Sequence, residues 1–500
     1  MSGSLPGEPA GAAGASGEAG ASGEAGASGQ AGASGVSGPA GPARCWLAEL
    51  AWLPGAGVLP DVLIQAVGDR FTAVTPRSRP GERPPGAIRL AGLTMPAFAN
   101  AHSHAFHRAL RGVTQAGRGT FWTWRERMYQ VAQRLDPDSY LALARAVYAE
   151  MALAGIGCVG EFHYLHHAPG GARYADQNAM GAALVEAAAQ AGLRITLLDA
   201  CYLSGGLDAA GRPVPLAGPQ LRFGDGTARG WAERVGRLAA DCHGMLGPGT
   251  RVGAAIHSVR AVPPDQMGAV VAWTHSTGSP LHVHLSEQVA ENESCQAAYG
   301  RTPAAVLADA GALGPRTSAV HATHLTDGDV GLLGGSQTYV CACPTTEADL
   351  ADGIGPFGAL AAAGSALTVG SDSQAVIDLL EEARRIEMYQ RLVTGRRGGF
   401  TAAELGTALT GAGHASLGWP DAGQIVPGGL ADLVTIGLES VRTAGADWST
   451  GALEAVLFAG TAADVRTVVI GGRDVVVDGT HVLVDDVPGQ LRAALSSILA

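Results

Sequence analysis

A chain of 500 residues with 47% apolar side chains can bury at least one large core, and its length alone allows roughly two to four domains. A formal charge of -12 and a pI near 5.6 argue against nucleic-acid and anionic-membrane surfaces, which need a basic field, and leave a small molecule as the expected partner. All 33 side chains counted as Lys+Arg are arginine, so a P-loop lysine, a Schiff-base lysine and a lysine carbamate bridging two metals are excluded together.

From Gly11 to Gly41 a glycine falls at every third position, and Pro39 is the single proline between them. Triplets so poor in proline gain little from a triple helix, so residues 1–43 are expected to be a disordered tail. Apolar order begins near Cys45. One β-rich stretch runs from Trp46 to Leu93; a second includes Ala431 to Gly437 and a hairpin from Val465 to Val477 that turns at Gly471-Gly472. Neither makes a complete core alone. Residues 44–93 and 424–490 are therefore expected to pair into a small β-sandwich domain built from both chain ends.

Between them, residues 94–423 alternate short apolar strands with helical stretches rich in alanine and leucine, the rhythm of βα units. In one unit Asp136 or Asp138 caps a helix through Ala154, Gly155 ends it, and Cys158 to Phe162 forms the next strand. Strands are predicted at Thr94–Phe98, Cys158–Phe162, Arg194–Leu198, Arg251–Ile256, Pro280–His284, Thr317–Val320, Thr338–Cys343 and Ala366–Val369. Eight strands close an α/β, TIM-like (β/α)8 barrel. The seven cysteines are scattered and form no CxxC, so they read as reduced core residues. With no leader pattern and no run of about 18 apolar residues, a cytoplasmic location is expected.

Of fifteen histidines, thirteen lie between His102 and His324, most just beyond a predicted strand. In a barrel such positions open onto one C-terminal face, which turns a scatter in sequence into a cluster in space. His102 and His104, as His-Ser-His after the first strand, point to the same side of an extended segment and can share one ion. His284 after the fifth strand and Asp372 in Gly-Ser-Asp-Ser after the eighth complete three imidazoles and a carboxylate, a set that suits one zinc ion and an activated water. Iron(II) and manganese(II) are accepted by the same donors. Glu287, three residues past His284, is the candidate general base and then general acid; the alternative is an ordinary glutamate at a helix N-terminus. His321 in Val-His-Ala-Thr-His is placed to touch the water or the attacked centre, with His324 the weaker candidate.

These positions resemble the amidohydrolase superfamily in its mononuclear aminohydrolase branch, as do the flanking β-domain and the run Gly428 to Val434. Longer phrases narrow the resemblance: His102-Ser-His-Ala-Phe-His-Arg108, Phe121-Trp-Thr-Trp-Arg-Glu126, Glu161-Phe-His-Tyr-Leu-His-His167, His257-Ser-Val-Arg260 and Pro344-Thr-Thr-Glu-Ala-Asp-Leu350. They are similar to superfamily members that deiminate N-formimino-L-glutamate in histidine degradation, over about Trp46 to Val477. The resemblance implies hydrolysis of that dicarboxylate to N-formyl-L-glutamate and ammonia by a zinc-bound hydroxide, one ion per subunit. It implies substrate contacts at Arg125, Tyr164, His257 and Arg260, and arginine forks suit carboxylates. Trp122 and Trp124 are expected to pack rather than to touch substrate. At His107 some members carry glutamine, so a contact there is expected to depend on pH. A homodimer is the expected assembly. Two other readings stay open: an aminohydrolase of purine, pyrimidine or triazine rings, and a scaffold that kept the barrel and lost the chemistry.

Overall fold

The computed structural model describes residues 43–77, 84–208, 210–242, 247–445 and 448–499; the glycine-rich stretch before residue 43 lies outside them. Eight parallel strands form the inner sheet: β1 (Phe98–Ser103), β2 (Ile156–His163), β3 (Arg194–Cys201), β4 (Thr250–Ile256), β5 (Leu281–Leu285), β6 (Thr317–His321), β7 (Tyr339–Ala342) and β8 (Leu367–Val369). They pair in sequence order, and a parallel bridge between Ser103 and Asp372 joins the end of β1 to the chain leaving β8. That seam closes the barrel.

The helix after β1 follows its sequence signals closely. It spans Pro137–Leu153, Asp136 caps it in a capping box with Ser139, and Gly155 takes φ 87° on the way into β2. One sequence expectation fails at the barrel's entry. Thr94 to Phe98 is not its first strand: Ile88–Pro96 belongs to the outer sheet, and the inner sheet starts only at Phe98. From Leu93 through Phe98 every residue is buried and all but Thr94 are apolar, so hydropathy shows no border; Pro96, which has no N–H to give a ladder, stands where the chain changes sheets. In consequence His102 lies within β1, not beyond it.

The outer sheet has eight strands in the order 480–481, 473–477, 465–470, 433–436, 88–96, 43–53, 57–67 and 70–76, so both chain ends contribute. It curls until the edge strand Arg70–Pro76 bridges Leu430, enclosing Trp46, Ile64, Phe71, Leu90 and Leu433. The hairpin at Gly471-Gly472 forms as expected, both glycines at positive φ (56° and 70°). A helix, Trp448–Ala459, lies between the strands 433–436 and 465–470, and a C-terminal helix, Val487–Leu499, packs on Pro137–Leu153.

One end of the barrel is stoppered. The carbonyl of Ser416 accepts from Nε2 of His282 (3.2 Å), that of Leu417 from Thr196 (2.7 Å), and Nε1 of Trp419 donates to Thr196 (2.9 Å). Gly160 makes room for this plug, since a Cβ there would lie 2.3 Å from Leu417. The other end, where the strands finish, is left for a site. Among the described residues no helix is long and apolar enough to cross a membrane, and the cysteines whose side chains are described are free.

Candidate active site

The extended end of β1 carries His102 and His104 to one side, their rings 4.8 Å apart. On β5 the same period of two aims His282 at the plug and His284 at the open mouth. Beyond β8 the chain turns through Gly370 and Ser371 into Asp372, which sits at φ 43°, a left-handed conformation seldom taken by a side-chain-bearing residue. Gly370 is needed for the approach, because a Cβ there would meet Cβ of His102 at 2.7 Å.

Nδ1 of His104 donates to the carbonyl of Phe162 (2.8 Å) and Nδ1 of His284 to that of His257 (2.9 Å), so both rings turn the lone pair of Nε2 inward. There Nε2 of His284 stands 3.1 Å from Nε2 of His102, and Oδ1 of Asp372 lies 3.4 Å from Nε2 of His102 and 3.5 Å from Nε2 of His104. Two ligands held about 2.0–2.1 Å from one ion in a tetrahedron are about 3.3 Å apart, so these four donors fit a single zinc-sized cation. Burial lowers the pKa of all three imidazoles and keeps them in the neutral, ligating form. Burial pushes Asp372 up, yet its contact with His102 and the neighbouring imidazoles of His321 and His104 hold it below the ordinary carboxylate range.

Glu287 lies on the loop between β5 and the helix Val289–Tyr299, almost fully buried at 8% exposure. Its Oε1 is 3.8 Å from Nε2 of His321, and Oδ2 of Asp372 is equally 3.8 Å from that nitrogen. Burial raises the pKa of Glu287, which suits a group that takes up and releases a proton. His321 ends β6 at φ 68°. Burial would lower its pKa, but Glu287, Glu347 and Asp372 together raise it well above the usual value.

A cavity opens over this group. Its lining brings His104, His284, Asp372, Glu287 and His321 together with His107, Arg125, Tyr164, His257 and Arg260. Arg125 projects from the helix Phe121–Arg134, its Nε donating to the hydroxyl of Tyr129 at 2.7 Å. Arg260 has its Nε 3.6 Å from Oε2 of Glu291. His107 contacts the Tyr164 hydroxyl through Nε2 at 2.9 Å, and burial lowers its pKa to about 3. Burial thus disfavours its charged form, which runs against a pH-dependent contact at this residue. Trp124 lines the cavity, whereas Trp122 is half exposed. His324 faces away and donates to the carbonyl of Asp352 at 2.7 Å.

Sequence reading passed over several groups that build the site. Glu161, inside β2, accepts from Ser103 Oγ (2.7 Å) and the amide of Ala105 (2.6 Å), bracing the His-Ser-His turn; burial pushes its carboxyl up to about 8. Asn100, Ser371, Gln374 and Ser103 form a buried hydrogen-bonded chain across the β1/β8 seam. Glu347 and Glu291 back His321 and Arg260. Asn100 and Glu161 are polar residues inside buried apolar strands, a visible signal that each has a partner, whereas Glu291 and Glu347 sit in polar helical runs without that signal. A second cluster, His163, His166 and Asp199, is close enough to share an ion. Its carboxylate is already satisfied: Arg234 forks Asp199 at 2.7 and 2.8 Å and Trp231 donates to it at 2.9 Å. A cation there would sit against a guanidinium.

Residues 93–475 match the amidohydrolase family. The chain is 36% identical over 444 residues to the formimidoylglutamate deiminase of Pseudomonas aeruginosa, covering 87% of this chain and 95% of that protein. It is 31% identical over 421 residues to an 8-oxoguanine deaminase of the same species, covering 82% of this chain and 88% of the relative. The crystal structure of an amidohydrolase from Brucella melitensis aligns at a TM-score of 0.83 and 31% identity, covering 91% of this chain and 100% of that one.

Proposed function

Because the chain belongs to the amidohydrolase family and is a hydrolase of carbon–nitrogen bonds, we propose that it converts N-formimino-L-glutamate and water to N-formyl-L-glutamate and ammonia, in histidine degradation. One observation carries this reading: two guanidinium groups, Arg125 and Arg260, line the same cavity as His104, His284, Asp372 and Glu287. A substrate with two carboxylates and a reactive amidine needs fixed cationic donors at one end and a water-activating centre at the other.

In this reading His102, His104, His284 and Asp372 hold one zinc ion, with iron(II) or manganese(II) suited to the same donors. When bound, the ion supplies Lewis-acid activation of a water, whose pKa falls to about 7. The protein's own groups carry the protons. Glu287 takes one from the water as its oxygen adds to the formimino carbon and passes it to the nitrogen, then takes the remaining hydroxyl proton as the formyl C=O forms and passes it to the same nitrogen, which leaves as ammonia. His321, with Nε2 directed at Glu287 and Asp372, stabilises the charge of the tetrahedral centre, a contact typically worth about 3 kcal/mol. Tyr164, His107 and His257 orient the substrate between the arginines and the reacting carbon. A cytoplasmic setting accords with the free cysteines.

A second reading, deamination of a heteroaromatic ring, is favoured by the aromatic side chains Phe121, Trp124, Tyr129, Tyr202 and Phe223 around the cavity and by the 31% identity to an 8-oxoguanine deaminase. An ammonia-release assay separates the two. Turnover of N-formimino-L-glutamate with none of 8-oxoguanine, adenosine or a triazine supports the first; the reverse pattern rejects it.

A further inference from the structure

We propose that Glu347 is a positioning residue that holds the ring of His321 against the cavity, with Nδ1 turned to its own carboxyl and Nε2 turned to Glu287 and Asp372. The carboxyl comes from the short helix Pro344–Asp349 that follows β7, and its side chain is fully buried. Oε1 accepts the amide of Cys343 at 2.8 Å, which pins the group to the end of its own strand, and lies 3.4 Å from Nδ1 of His321. Oε2 is buried without a hydrogen-bond partner. Among the described residues the ring of His321 is the one cationic group recorded in an ion pair with this carboxyl.

A buried carboxylate with a single such neighbour fixes how that neighbour's ring is turned. A lone pair on Nδ1 would oppose the carboxylate, so Nδ1 carries the proton and donates to Oε1. Nε2 is then the atom presented to Glu287 and Asp372, 3.8 Å from each. The negative charge behind the ring also favours donation from Nε2 toward charge that develops in the cavity, the role of the carboxylate in a carboxylate–histidine pair. The backbone of His321 adds a reason for a brace: at φ 68° it is held in a conformation that surrounding contacts must maintain.

The inference rests on the deiminase reading only for its substrate. The test is a double-mutant cycle on the metal-loaded enzyme with Glu347→Gln, His321→Asn and the pair, following ammonia release from N-formimino-L-glutamate. Glu347→Gln keeps the size and the acceptor for Cys343 and is expected to lower kcat by about 10- to 100-fold, with KM within about twofold and metal content unchanged. Added to His321→Asn it is expected to change nothing further, because its effect passes through the ring. Glu347→Asp, which keeps the charge, is expected to recover part of the rate and replaces Gln in the cycle if that variant does not fold. The Nδ1–H resonance of His321 in 15N-histidine-labelled enzyme is expected to shift in Glu347→Gln, and needs no substrate. Additive losses in the cycle, a change confined to KM, or an unmoved resonance would overturn the proposal. A wild-type enzyme inactive on formiminoglutamate would instead reject the substrate reading and leave the resonance to judge Glu347.

Discussion

The amide of Asp372 donates to the carbonyl of His102 at 3.0 Å, and its carboxyl Oδ1 lies 3.4 Å from Nε2 of the same histidine. One pair of residues therefore closes the barrel with its backbone and brings two candidate metal donors together with its side chains. The seam and the site are one construction, and disturbing Gly370, which touches His102 from behind, would disturb both.

Metal removal should accordingly be felt in stability. A ligand bound only to the folded form contributes about 4 kcal/mol at a free concentration a thousand times its Kd, so chelation is expected to lower Tm by on the order of 5 °C, restored by added zinc. Asp372→Asn keeps the backbone seam and should match the chelated wild type with no response to zinc. Differential scanning calorimetry reads both; a chelator-insensitive Tm would contradict the four-donor site.

Glu287→Gln removes the proton carrier and leaves the donors of the metal intact. Its kcat is expected to fall by about 10²- to 10⁴-fold, the usual worth of a positioned acid–base group. Zinc content by elemental analysis should stay at the wild-type level. Normal turnover with zinc in place would remove Glu287 from that role.

Arg125→Ala and Arg260→Ala should act on binding. Each deletes a charge-assisted contact worth about 1.5–3 kcal/mol, so KM for formiminoglutamate is expected to rise at least about tenfold in each variant. The amide of the same substrate, with one carboxylate neutralised, should discriminate less between wild type and one of the two variants. Little change in KM in both would favour the ring-substrate reading.

Glu291 supplies a pH dependence. Burial pushes its carboxyl from 4.5 up to about 7, with Arg260 and His321 pulling it down and Glu287 pushing it further up. Because the folded form holds this proton more tightly than the unfolded chain, the favourable contribution is complete below about pH 4.5 and lost as pH rises through 7, about 3 kcal/mol in all. Glu291→Gln is expected to remove that loss, and urea unfolding at pH 5 and pH 8 would measure it. Below pH 7 a neutral Glu291 also leaves the charge of Arg260 uncompensated, so the KM contribution from this pair should fall on acidification in wild type and stay flat in Glu291→Gln.

Elements whose signal is local were legible in the sequence. The helix behind Asp136 and the Gly471-Gly472 hairpin announce themselves through caps and turn residues, and they form where expected. His102, His104, His284 and Asp372 could be grouped because parallel strands in chain order must deliver their ends to one face. What escaped was wherever the chain leaves one buried environment for another, as between Ile88–Pro96 and β1, since a continuous apolar run has no internal punctuation.

By itself, then, the sequence indicated the barrel and grouped the candidate donors through residue type and spacing, while Arg125 and Arg260 followed from the family resemblance alone. Only the tertiary structure decided which carboxylates stand behind them: Glu161 under the His-Ser-His turn, Glu291 behind Arg260 and Glu347 behind His321. It also decided that His107 is buried where its charged form is disfavoured. The physical reason is common to all four. Burial and partners across a barrel, not the residue's identity, set whether a titratable group is charged and what it can hold in place.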